Sequence, residues 1–145
     1  MLVRDYMTTK VTTLPEDSRL LDAALIIRRS GKRHVPIINS QGVVVGMVSD
    51  RDVSRVAPSM LGNMTPEEYN QIFETTPINM VMSTNVITIS PEDKVSHAVT
   101  LLYTKKIGAL PVVEDGKLVG IVTGTDMLGL LNELLGKPAE SPASD

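Results

Sequence analysis

The feature that most restricts what this chain can fold into is an internal duplication. With a shift of about 75 residues, residues 3–56 fall on residues 78–131. Met7-Thr8-Thr9-Lys10-Val11-Thr12-Thr13 lies on Met82-Ser83-Thr84-Asn85-Val86-Ile87-Thr88, and Arg33-His34-Val35-Pro36-Ile37-Ile38 lies on Gly108-Ala109-Leu110-Pro111-Val112-Val113. After a one-residue loop difference, Gly46-Met47-Val48-Ser49-Asp50-Arg51-Asp52 lies on Gly120-Ile121-Val122-Thr123-Gly124-Thr125-Asp126. A chain built this way folds as two copies of one small unit.

Each copy reads as strand, helix, strand, strand, helix. Residues 11–13 and 86–89 are rich in β-branched side chains, as a short strand requires. Over residues 19–29, Leu20, Ala23, Ala24 and Ile27 recur at helical spacing; Val95, Ala98, Val99 and Leu102 do so in the second copy, predicting two buried helix faces. Pro36-Ile37-Ile38 and Val43-Val44-Val45 flank Asn39-Ser40-Gln41-Gly42, and Pro111-Val112-Val113 and Leu118-Val119 flank Glu114-Asp115-Gly116-Lys117, which predicts two hairpins with glycine in the turn. Consecutive apolar residues along the strands imply burial on both faces. The fold class is therefore α+β, a tandem βαββα repeat. Units of about 55 residues are marginal alone, so the copies are expected to pack with pseudo-two-fold symmetry and to leave two related clefts where they meet. The expected boundaries are 1–57 for the first copy, 58–77 for a linker, 78–136 for the second copy and 137–145 for a disordered tail. Within the linker, Thr65-Pro66-Glu67-Glu68 supplies an N-cap, a first-turn proline and an acid. A short helix should start there, with Tyr69, Ile72 and Phe73 on one face, lying against a repeat or a second subunit.

Composition narrows the chemistry. A net charge of -3 argues against a general nucleic-acid binder, and leaves the cluster Arg28-Arg29-Ser30-Gly31-Lys32-Arg33-His34 as the one local place for a polyanion. With Cys 0 there is no disulfide, thiolate metal site or cysteine nucleophile. Two charges within Met1-Leu2-Val3-Arg4-Asp5 do not suit a signal peptide, and Asp126, Asn132 and Glu133 interrupt the most apolar stretch, so a cytoplasmic chain away from the membrane is expected. His34 and His97 lie in different elements without metal-ligand spacing, and no metal site is expected. Ser30-Gly31-Lys32 lacks the upstream glycine and following hydroxyl of a phosphate-binding loop. No nucleophile stands beside an evident base, so an enzyme is not expected.

The repeated Ser49-x-x-Asp52 and Thr123-x-x-Asp126 support two readings. As capping boxes they satisfy orphan amides at a helix start, worth about 1 kcal/mol for the N-cap. As a ligand site, the same turn offers a hydroxyl to a phosphate and an acceptor-only carboxylate to a ribose diol. Arg33 and His34 stand just before a buried strand, where a charge-assisted bond to phosphate contributes about 1.5–3 kcal/mol.

Together, the duplication, the proline-led strands and both Gly-hydrophobic-x-Ser/Thr-x-x-Asp segments resemble the cystathionine-β-synthase (CBS) domain, present twice as a Bateman module. The combination Ser49-Asp50-Arg51-Asp52 with Ala57-Pro58-Ser59 is similar to the stand-alone bacterial acetoin-utilization type. The resemblance implies frequent homodimers and clefts that bind AMP, ADP, ATP or another adenosyl compound as ligand, with no cofactor required. It implies that Asp52 and Asp126 hold ribose, Ser49 and Thr123 meet ribose or phosphate, and Arg33, His34 and Arg51 meet phosphate. Adenine would lie between aliphatic walls near Val11 and Pro36, or near Val86 and Pro111. Thr125 replaces Arg51 and Gly108-Ala109 replaces Arg33-His34, so unequal occupancy is expected. The functions left in view are a regulatory adenine-nucleotide sensor and a ligand-free homodimerisation module.

Overall fold

The structure, a computed structural model, describes residues 1–57 and 64–136; the start of the expected linker and the expected disordered tail lie outside the described residues. Two compact units form. The one that carries Ser49 and Asp52, the first-motif unit, comprises the described residues of Thr12–Ser40 and Val44–Asn85. The one that carries Thr123 and Asp126, the second-motif unit, comprises Met1–Val11, Gln41–Val43 and the described chain from Val86.

In the first-motif unit the chain runs β1 (Leu14–Pro15), α1 (Leu20–Ser30), β2 (His34–Ile38), β3 (Val44–Ser49), α2 (Asp50–Val56) and α3 (Pro66–Thr75). The strands form a sheet in the order β1-β2-β3, with β1 parallel and β3 antiparallel to β2. Val35, Pro36 and Ile37 are buried in succession, which a strand covered on both faces achieves. Helix α1 starts where the Asp22 carboxylate accepts the Arg19 N–H at 2.8 Å, and stops at Gly31, whose φ of 70° is a left-handed cap. Leu20, Ala23 and Ala24 bury its inner face against Ile37, Val48, Val53, Phe73, Ile78 and Val81. Helix α3 opens as the cap grammar predicts: Thr65 Oγ1 accepts the Glu68 N–H at 3.1 Å and Pro66 is the first helical residue. Its Phe73 enters this core, so its partner is a repeat of the same chain.

The second-motif unit contains α4 (Val95–Lys105), β4 (Ala109–Glu114), β5 (Lys117–Thr123) and α5 (Gly124–Leu134). Strands β4 and β5 form the second hairpin, closed by Asp115 and Gly116 with φ values of 51° and 79°, the two positive dihedrals that a tight two-residue turn needs. Its core is Val3, Ile89, Ala98, Leu110, Val112 and Val122. The duplication persists in fine detail. Both hairpins shift register at equivalent places, between Ile37 and Ile38 and between Val112 and Val113.

Two expectations change. The first strand is not residues 11–13 but the two-residue Leu14–Pro15, and residues 86–89 contribute only a bridge from Ile89 to Val112. β-Branched composition favours extension, but pairing is decided by which residues meet the edge of the neighbouring strand. Val99, placed on a buried helix face, is 43% exposed, while Val95 and Ala98 are buried. Separately from the order of the repeats along the chain, the spatial units exchange their leading segments, residues 1–11 and 78–85. Thr8 and Ile121 donate to each other's carbonyls, both at 2.9 Å, which places the first leading segment on β5. Ser83 and Met47 do the same at 2.9 and 3.0 Å, which places the second leading segment on β3. Each pairing covers strand-edge groups that would otherwise need water.

Candidate functional site

At the first motif, β3 delivers Ser49 to the start of α2. The Ser49 Oγ accepts the Asp52 N–H at 3.2 Å, and Asp52 Oδ2 accepts the Ser49 N–H at 2.8 Å and its hydroxyl at 3.1 Å. This is a closed capping box. Asp52 is 7% exposed, and its second oxygen, Oδ1, accepts Arg55 Nη2 at 2.6 Å. Strand β2 begins alongside: His34 is the register partner of Ser49, and the Arg33 carbonyl accepts the Asp50 N–H at 3.0 Å. Arg33 and Arg51 are exposed, His34 is half-buried, and Pro36 is buried opposite Met47. Neither Arg33 nor His34 is without a partner.

The second motif repeats the backbone with different side chains. Thr123 Oγ1 accepts the Asp126 N–H at 3.1 Å and Asp126 Oδ2 accepts the Thr123 N–H at 3.0 Å, a second closed box at the start of α5. Thr123 is buried and Asp126 half-buried. Ala109 is the register partner of Thr123, the Gly108 carbonyl accepts the Gly124 N–H at 3.0 Å, and Pro111 is buried opposite Ile121. Asp126 Oδ1 carries no hydrogen bond among the described residues.

The structure therefore brings together Arg33, His34, Pro36, Ser49, Arg51 and Asp52 in one unit. Ala109, Pro111, Thr123 and Asp126 share the other, with the half-buried Val11 and Val86. Val11, which the family resemblance implies lies near Pro36 on one adenine wall, falls in the second-motif unit. Sequence reading missed Arg55; its signal was present as a cation three residues after Asp52, a spacing that puts both on one helix face. It also missed an open depression of about 580 Å³ at the far end of β2, lined by residues including Glu16, Asp17, Ile38 and Asn39. Among the described residues no group of three or more His, Asp or Glu is placed to hold a metal ion, and no helix is long and apolar enough to cross a membrane.

The family model described as the CBS domain matches residues 3–59 and 78–133. The chain belongs to the CBS-domain family. The CBS domain-containing protein YhcV of Bacillus subtilis (strain 168) is 30% identical over 139 residues, which cover 96% of this chain and 90% of that protein. Among solved structures, the Vibrio cholerae protein provisionally named acetoin utilization protein AcuB has a TM-score of 0.78 at 32% identity, covering 94% of this chain and 93% of that one. The CBS domain pair of protein MJ0100, in complex with 5′-methylthioadenosine and S-adenosyl-L-methionine, has a TM-score of 0.76 at 25% identity, covering 92% and 98%. Against a longer Methanocaldococcus jannaschii relative, an uncharacterized protein 36% identical over 121 residues, this CBS pair spans 26% of the length.

Proposed function

We propose that this CBS pair is a cytoplasmic, non-enzymatic regulatory module that binds an adenine nucleotide or related adenosyl compound at the Ser49–Asp52 and Thr123–Asp126 turns. One observation carries the reading: both copies present a hydroxyl and a carboxylate at a strand-to-helix turn, and the first copy adds Arg33, His34 and Arg51 around it. The carboxylate can accept from two ribose hydroxyls, and the cations suit phosphate. The adenosyl ligands held by the MJ0100 pair support this assignment. Ligand regulates only by binding one conformational state better than another, so occupancy would shift the module between states.

A second reading, a ligand-free homodimerisation module, is favoured by the closed capping boxes and by Leu128, Leu131, Leu134 and Leu135, which stay exposed on and just beyond α5. Isothermal titration with AMP, ADP, ATP, NADH and S-adenosylmethionine separates the two. Nucleotide sensing predicts saturable heat with at least one ligand, and weakening of the Thr123–Asp126 site by about tenfold or more in Asp126→Asn. Silence with all five, or unchanged affinities in that variant accompanied by only a small stability loss, supports the capping-only module.

A further inference from the structure

The two turns differ in one contact that neither capping nor the family pattern requires. Asp52 is fully engaged: Oδ2 closes the capping box and Oδ1 holds Arg55 at 2.6 Å. Among the described residues Asp126 Oδ1 has no hydrogen-bond partner, and the position equivalent to Arg55 is Gly129. A ribose diol can therefore dock on Asp126 without breaking an ion pair, but on Asp52 it must first displace a guanidinium from a carboxylate that is only 9% exposed.

We propose that Arg55 is a latch that makes the Asp52 turn selective for adenosyl ligands carrying phosphate, while the Asp126 turn accepts them with or without it. The inference rests on the adenosyl-binding reading above. Arg55 is 69% exposed on a long flexible stem, so its guanidinium is free to leave Asp52 and stay beside the ligand. A ligand with a phosphate gives the displaced cation a new anion, so one charge-assisted contact replaces another. A ligand without phosphate leaves Arg55 in water with the ion pair lost and nothing in exchange. Arg33, His34 and Arg51, clustered at the same turn, add to the preference for negative charge. At the second turn Gly108, Ala109, Thr125 and Gly129 supply no cation.

The test reads the ratio of adenosine to AMP dissociation constants in Asp126→Asn protein, where the Asp52 turn dominates. Arg55→Gln and Arg55→Lys are each introduced into that background, and melting curves confirm that every protein is folded. A latch predicts AMP binding about tenfold or more tighter than adenosine, a preference retained by Arg55→Lys and reduced about tenfold by Arg55→Gln. The diagnostic component is that adenosine itself binds Arg55→Gln more tightly, because the competitor is gone; loss of a simple phosphate contact weakens AMP and leaves adenosine unmoved. Binding with a ratio unaffected by Arg55→Gln, or with adenosine affinity unchanged, overturns the latch and leaves adenosyl binding standing. Binding confined to the wild-type protein and absent from the Asp126→Asn background also overturns it. Silence of the wild-type protein toward both compounds overturns the latch together with the reading beneath it.

Discussion

Gly46 and Gly120 show how a single missing side chain holds the duplication together. A Cβ at Gly46 would lie 2.4 Å from Met82 Sδ and 3.1 Å from the Ser83 carbonyl oxygen; one at Gly120 would lie 2.7 Å from Met7 Sδ and 3.0 Å from the Thr8 carbonyl oxygen. The thioether can swing away, but the carbonyls are pinned by their hydrogen bonds to Met47 and Ile121. Gly46→Ala and Gly120→Ala should therefore each cost about 1–3 kcal/mol by chemical denaturation, as overpacking does; a loss below about 0.5 kcal/mol, typical of an unconstrained surface site, contradicts this account. The repeated glycines and methionines were legible in the sequence as matched positions. Their mutual contact was not, because nothing local in a strand pattern reveals which distant side chain needs the space. Ser49, Asp52, Thr123 and Asp126 were legible in both their spacing and their place at a turn. The asymmetry that Arg55 introduces required coordinates, since an aspartate three residues from an arginine on a helix pairs only where rotamers and burial allow.

At the scale of elements, α3 was the most readable segment outside the repeats, because a threonine cap, a first-turn proline and an acid all point to one start. Its packing follows from chemistry as well: Phe73 is buried, the Tyr69 ring centroid is 5.1 Å from it, and the Arg28 guanidinium carbon lies 5.9 Å from its centroid. Arg28, which in the sequence is only one member of the basic cluster Arg28 to His34, thus packs on the linker helix. Phe73→Ala should destabilise the first-motif unit by about 3–5 kcal/mol in denaturant melts, whereas a cost under about 1 kcal/mol indicates that α3 only rests on the surface. The first strand of each copy was the least readable element. A two-residue parallel pairing and a single bridge leave almost no period to detect, and only neighbouring backbone decides where they form.

For the whole molecule, reciprocal exchange of the leading segments means that each unit is completed by chain from the other repeat. Val3 joins the core with Leu110 and Val122, and Ile78 and Val81 join that with Leu20 and Ile37. A repeat alignment shows two copies but not this exchange, because the hydrophobic pattern of a segment is satisfied equally by either copy's surface. The α+β class and the helix, strand, strand, helix order that follows the first strand were legible because they rest on periodicity and turn residues within each copy. Function at this scale depends on whether the two capped turns also receive a ligand. Amide chemical-shift mapping across the isotopically labelled protein, titrated with AMP, tests that most directly. The account predicts saturating shifts centred on residues 49–52, 123–126 and the adjoining starts of β2 and β4; shifts centred instead on the depression around Glu16, Asp17 and Asn39, or none at saturating AMP, contradict it.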